Sequence, residues 1–287
     1  MVAVGGIVFV AFLAVGFFLY SAFGPGWTML DTARILVRDD KFGMRAQARA
    51  IRYGDAILPL IVSESKNFEE LSSGSAFWIA EVIGHINTEQ SKSIATDLYR
   101  RPARLPHLVG AVALAEQGTL DTPGVDDLIG IVAEGGDDSE LQLAMLALGK
   151  ARAVAAAPVL IEIVKHPARQ YWNHAYACDA LARLCFKGAI PTLQSALESS
   201  EFYALPNAFR ALITLGDRKA VPLAIARIGP KNRDDDSGSI IKELEKVTGR
   251  HFGYNKQAWM QWWQSVQHSW SIPDDFRKSY DEQPPVY

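Results

Sequence analysis

His174, Cys178 and Cys185 are the residues whose types and spacing come closest to a chemical site. They fall at i, i+4 and i+11, along one stripe of a helix. A Cys and a His one turn apart can share a zinc ion. Leu181 occupies the same stripe, however, and Cys185 stands where the neighbouring segments carry glycine. Neither a Cys-x-x-Cys nor a His-Glu pair accompanies the three. Small thiols inside an apolar core explain the pattern with fewer requirements. The other histidines, His85, His107, His166, His251 and His268, are dispersed, and none pairs with a Ser or Cys at a motif spacing. There is no Gly-x-Ser-x-Gly and no phosphate-cradling glycine loop. Gly135-Gly136 runs into Asp137-Asp138 and reads as a loop and helix start. Arg100, Arg101 and Arg104 form a small basic knot, and Asp234 to Asp236 an acidic one; both read as solvated loops. No residue is assigned a catalytic, cofactor or metal role, and an enzyme is not the expected reading.

Aromatic side chains recur at one position instead. Tyr171-Trp172 and Phe202-Tyr203 both lie fourteen and thirteen residues before a small residue, Cys185 and Gly216 respectively. His174 and Tyr176 are close by in sequence. Tyr171, Trp172, His174, Tyr176, Phe202 and Tyr203 therefore form a candidate protein-binding ridge, because Trp and Tyr are enriched among the residues that carry binding energy. Packing between neighbouring segments is the competing explanation.

A repeat must position these side chains. LCFKGAIPTL, from Leu184, is echoed thirty-one residues later by LGDRKAVPLA, from Leu215. An apolar stretch ending in a small residue recurs at Gly54, Gly84, Gly118, Gly149, Cys185 and Gly216, at spacings of 30, 34, 31, 36 and 31. Ala113, Ala144, Ala180 and Ala211 stand five before the pivot, and Leu114, Met145, Leu181 and Leu212 four before it. Leu148, Leu184 and Leu215 stand one before it, three residues on and so on the same helical face. A pivot glycine suits a helix end, where a left-handed residue satisfies orphan carbonyls. Asn87, Asp217 and Thr122-Pro123 suit the start of the next helix, and Pro59, Pro191 and Pro222 lie near helix beginnings. The unit is helix A, tight turn, helix B, about 31 residues long and repeated six times. One such hairpin cannot bury its apolar face alone, whereas a stack shares a continuous core.

The Leu-Gly-Asp ending and the Ala-Val-Pro-Leu that follows resemble bacterial HEAT repeats related to the phycobilisome lyase HEAT-like family, over roughly Ala46 to Ile228. That resemblance implies an all-α fold: a right-handed α-solenoid of about six HEAT-like hairpins. It implies a scaffold or docking surface as the function, with a bilin-lyase-like tetrapyrrole-handling protein as the alternative. A HEAT-like DNA repair enzyme is disfavoured by the net charge of -3, since nucleic-acid binders carry a basic excess.

Both ends differ from the repeats. Val2 to Phe23 holds no charged side chain and would span about 30 Å as a helix. Gly24-Pro25-Gly26 stops it, and Tyr20 and Trp27 fall at interfacial positions. Residues 1–27 are therefore expected to form one transmembrane anchor preceding the solenoid, with a cleaved secretory signal as the alternative. The absence of a basic n-region and a poor cleavage match disfavour a secretory signal. Arg34, Arg38, Lys41, Arg45 and Arg49 follow the span, which favours a cytoplasmic over a periplasmic solenoid. Two cysteines allow a reducing compartment. Residues 28–229 make the solenoid, and 230–270 a linker and aromatic capping helices. In that cap Asn255 starts a helix with Trp259, Trp262 and Trp263 on one face. Residues 271–287 are a tail. The expected partner is a membrane-associated protein, the lipid bilayer is met through residues 2–23, and no nucleic acid, cofactor or metal is expected.

Overall fold

The computed structural model describes residues 28–38, 42–65, 68–166, 171–200, 202–230, 237–274 and 276. Among them all regular structure is helical, as expected. The apolar run at residues 2–23 lies outside the described residues, and no described helix is long and apolar enough to cross a membrane. The chain divides into two compact units, residues 1–82 and 83–287.

The first unit holds α1 (Met29–Arg38), α2 (Gly43–Tyr53), α3 (Leu58–Glu64) and most of α4 (Ser73–Ile86). Helix α1 packs on α2 and α3 around Ala33, Leu36, Ala46, Ala50, Leu58 and Ile61. Thr28 and Asp31 cap α1 reciprocally: each backbone N–H donates to the other's side chain, at 2.9 and 3.1 Å.

The second unit is built of two layers. One contains α6 (Arg104–Glu116), α8 (Asp138–Lys150), α10 (Tyr171–Arg183), α12 (Leu205–Thr214) and α14 (Ser237–Thr248). The other contains α5 (Glu89–Tyr99), α7 (Thr122–Glu134), α9 (Ala157–Lys165), α11 (Ile190–Glu198), α13 (Ala220–Ala226) and α15 (Lys256–Val266). From α6 onward each helix packs on the next member of its own layer. Helices α7, α9 and α11 also lie closely against α8, α10 and α12. This is the stacking of an α-solenoid. The first layer is enclosed: α8 is buried from Leu143 to Gly149 and α10 from Asn173 to Cys178. The second layer buries one face only, as its Leu128, Leu160, Leu193 and Ala224 show.

The joints correct the expected frame. Left-handed backbone occurs at Gly54, Asn87, Gly118, Arg152, Cys185 and Gly216, 31 to 34 residues apart. Gly84 and Gly149 are not the turns; both lie inside helices, three residues earlier. A Cβ on Gly149 would come within 3.1 Å of Ala180 Cα, so that glycine serves close approach of α8 and α10. In the corrected frame Ala147 and Leu148 take the places assigned to Ala144 and Met145, and both are fully buried. The joint itself is a repeated hydrogen-bond motif. The carbonyls of Leu114, Leu148 and Leu212 accept from the N–H of Thr119, Ala153 and Asp217, at 2.9, 3.1 and 2.9 Å. Gly249, 33 residues beyond Gly216, is left-handed too, so α14 and α15 continue the same beat as a further hairpin.

Two helix caps also move by one residue. Thr88, not Asn87, caps α5 in a reciprocal box with Ser91. Asp121, not Thr122, caps α7 by accepting from Gly124 N at 3.0 Å. Asn255 caps α15 as expected, accepting from Ala258 N at 3.0 Å.

Candidate protein-docking site

The six ridge residues separate into two groups. Tyr171, Trp172 and Tyr203 are 37%, 39% and 57% exposed, whereas His174, Tyr176 and Phe202 are buried. The reason is the depth of α10. Tyr171 and Trp172 in its first turn stay exposed, whereas from Asn173 to Cys178 every residue of the helix, which packs on both α8 and α12, is buried. His174, Tyr176 and Phe202 thus support the surface and do not form it.

The support is specific. Phe202 lies against the His174 ring, with centroids 4.7 Å apart, and His174 Nε2 is 2.9 Å from the carbonyl oxygen of His166. This contact joins the start of α10 to the segment before α12. Tyr203 follows Phe202, and Trp172 lies two residues before His174. The Tyr171 and Trp172 rings meet edge to face at 4.9 Å, an arrangement that holds two large side chains in place without covering them. Asn173 is tied in turn to α8, donating to Asp138 at 2.5 Å.

Phe202 also opens onto a groove of about 370 Å³ between α9 and α11. Val164, Lys165, Pro191, Thr192, Ser195, Ala196 and Ser199 complete its lining. A groove of this size with an aromatic on its wall and a few hydroxyls suits recognition of an apolar side chain with polar neighbours. Apart from Pro191, read as marking a helix start, none of the groove's aliphatic or hydroxyl residues was singled out from sequence. Ser195 and Thr192 lie on a helix face with ordinary spacing, and only the distance between α9 and α11 makes that face a groove.

The spacing of His174, Cys178 and Cys185 does not bring the three to one place. Cys178 is buried and Cys185 is exposed at the joint. Among the described residues no group of three His, Cys, Asp or Glu side chains could hold a metal ion. Burial, with Asp179 next, pushes the Cys178 thiol well up from its ordinary range.

Charges in the enclosed layer are paired across hairpins. His85, Glu116, Lys150 and Arg183 each stand two residues before a left-handed joint. Lys150 Nζ donates to Glu116, and His85 Nε2 lies 3.6 Å from it. Burial would raise the Glu116 carboxyl, but Lys150, His85 and Arg183 together hold it below its usual value. Arg210 reaches Glu243 on α14 by two bonds of 2.9 and 3.3 Å. Arg104 bridges Glu134 and Glu140, so that member of the basic knot is an inter-helix tie.

No family model matches the chain, and no curated protein matches it. Among solved structures, an engineered protein matches 88% of this chain and 76% of its own, at 14% identity and a TM-score of 0.42.

Proposed function

We propose that this chain is a membrane-anchored scaffold of right-handed, HEAT-like hairpins that binds another membrane-associated protein, as an accessory or assembly subunit of a membrane complex. One observation supports the docking role above the others. Of the large apolar side chains exposed among the described residues of the second unit (Val154, Tyr171, Trp172, Tyr203 and Met260), Tyr171 and Trp172 meet edge to face, and Tyr203 directly follows Phe202, which lines the groove. Amphipathic rings held by a buried His174–Phe202 contact can contribute binding energy with little entropy left to lose. The anchor reading rests on the uncharged run at residues 2–23, and the arginines after it favour a cytoplasmic solenoid. Tethering would raise the local concentration of the docking surface near membrane partners.

The test compares full-length protein with the Trp172→Ala/Tyr203→Ala variant in affinity isolation from gently solubilised membranes. Loss of one anchor residue typically costs about 2 kcal/mol, so the double change should cut recovery of a stoichiometric partner more than tenfold. The melting temperature should fall only slightly, because both side chains are exposed and Trp172 gives up its edge contact with Tyr171. Equal recovery by folded variant and wild type would refute the ridge. Release of the protein from membranes by alkaline carbonate would refute the anchor.

A further inference from the structure

We propose that the outward stripe of α2 binds an anionic lipid surface, with Arg45, Arg49 and Arg52 meeting the headgroups and Phe42 and Met44 entering between them. This adds a membrane contact to the anchor proposed above and does not depend on it. Helix α2 reads GMRAQARAIRY, with three arginines and no acidic residue, in a chain whose acidic residues outnumber its basic ones by 32 to 29. Gly43, Ala46, Gln47 and Ala50 are buried and make up its inner face. Arg45, Arg49 and Arg52, at i, i+4 and i+7, share the opposite face with Met44 and Ala48. On that stripe Met44, Arg45, Ala48 and Arg52 are exposed, and Arg49 is half-buried.

Packing holds the stripe outward, and its charge is not cancelled. Gly43 lies against the Trp78 indole of α4 with no room for a side chain, which fixes the start of α2 and the way it faces. Glu64, the acid of neighbouring α3, is taken up by Arg34 and Arg38 of α1, at 3.4 and 3.3 Å. Among the described residues, Arg45 and Arg52 form no ion pair. Asp55, in the turn after α2, is one acid against three arginines.

The apolar side chains select the kind of partner. Phe42 precedes the helix and Met44 lies in its first turn, at 43% and 53% exposure, so apolar tips adjoin the cations at one end of the stripe. A peptide partner needs a groove to cover its own backbone. A headgroup layer conforms to an exposed stripe, takes up apolar tips and is attracted by each basic residue. Near an anionic leaflet each arginine strengthens the contact about fivefold, within a Debye length of the surface.

A polarity-sensitive fluorophore on the full-length protein tests this. In a Cys185→Ser background it is placed at Ala48→Cys, in the middle of the stripe, or at Val154→Cys, exposed in the second unit, as the control. Cys178 is buried and stays unlabelled. The protein is reconstituted by detergent removal with phosphatidylcholine, or with a mixture of phosphatidylcholine and phosphatidylglycerol. In the anionic mixture alone, emission from position 48 should shift to the blue and be quenched by lipid carrying a headgroup nitroxide, while position 154 stays unchanged. Arg45→Gln with Arg52→Gln should weaken the contact about 25-fold and abolish the shift, with folding checked by melting. At about 1 M salt, where the Debye length is about 3 Å, the wild type should lose the shift as well. Water-like emission from position 48 in both lipids would overturn the proposal, and so would a shift that survives both salt and the double change. A shift of the same size on adding polyglutamate to the protein in neutral lipid would also overturn it, giving the stripe to an acidic protein. Flotation with neutral lipid reports on the anchor separately: protein that floats only with the anionic mixture refutes the anchor and supports the stripe.

Discussion

Cys185 stands where a glycine would be favoured, and replacing it should stabilise the protein. Its φ is +53°, in the left-handed region, where a Cβ costs roughly 1–2 kcal/mol against the following carbonyl. The equivalent joints at Gly118 and Gly216 avoid this, with φ of +69° and +87°. Cys185→Gly removes the strain but adds about 0.5–1 kcal/mol of backbone entropy to the unfolded chain. The exposed side chain contributes little packing to lose. The net gain is about 0.5–1 kcal/mol, equivalent to a rise of roughly 1–4 °C for a unit of this size. Urea unfolding monitored by circular dichroism is the assay, with an unchanged slope showing that only stability moved. Gly216→Ala supplies the reciprocal case and should lose about 1 kcal/mol. A midpoint for Cys185→Gly at or below wild type would refute the reasoning that these six positions are the joints of the stack.

Other perturbations probe the rest of the stack. One thiol, Cys185, should react with a maleimide in the native protein, and Cys178 only after denaturation, because Cys178 is buried and its thiol is held protonated; two fast native equivalents would contradict this. Gly110→Ala should destabilise by about 1–3 kcal/mol, since its Cβ would meet Tyr99 N at 2.3 Å and Ala95 O at 2.6 Å, backbone that cannot step aside; a wild-type melting point would refute the close approach of α5 and α6. Glu116→Gln should cost about 1–2 kcal/mol at neutral pH, discounted from a fully buried pair because Glu116 is partly exposed. Its carboxyl is held below the ordinary value, so its stabilisation is complete above that value and fades as pH falls through the lowered one. The wild-type advantage over Glu116→Gln should therefore shrink in acid, and a difference that persists unchanged to low pH would exclude the carboxylate as its source.

The hairpin repeat was legible because its cause is local. Alanine and leucine at fixed offsets encode one helix face, and that face is the core. The joints were legible where glycine marks them, and at Cys185, where the segment echoes the one around Gly216. At Arg152 the chain adopts φ of +51° without glycine, because the bond from Ala153 N to Leu148 O closes the helix end regardless. Gly149, the natural candidate, is needed three residues earlier for helix contact, and two glycine roles with different physics look the same in a sequence. Asn87 and Gly84 repeat this confusion: Asn87 is left-handed and Gly84 lies inside α4. The ridge was half legible for a similar reason. Trp172 and His174 are two residues apart, yet one is exposed and the other buried, and the difference is set by where α8 and α12 begin to cover α10.

That enclosure limits where this molecule can recognise anything. In α8, α10 and α12 the flanking helices cover nearly the whole circumference, so polar residues there meet one another: Asn173 with Asp138, Asn207 with Asp179, Arg210 with Glu243. A substitution in that layer alters the stack before it alters any surface. The first turns of the enclosed helices and the open faces of α9, α11, α13 and α15 are under no such constraint. The groove between α9 and α11 lies on those open faces, and the exposed aromatic rings project from first turns and the loops before them. Under the proposed docking role, recognition is expected to depend on residues that the repeat does not dictate, which is why the periodic part of the sequence reveals the stack of helices and nothing more.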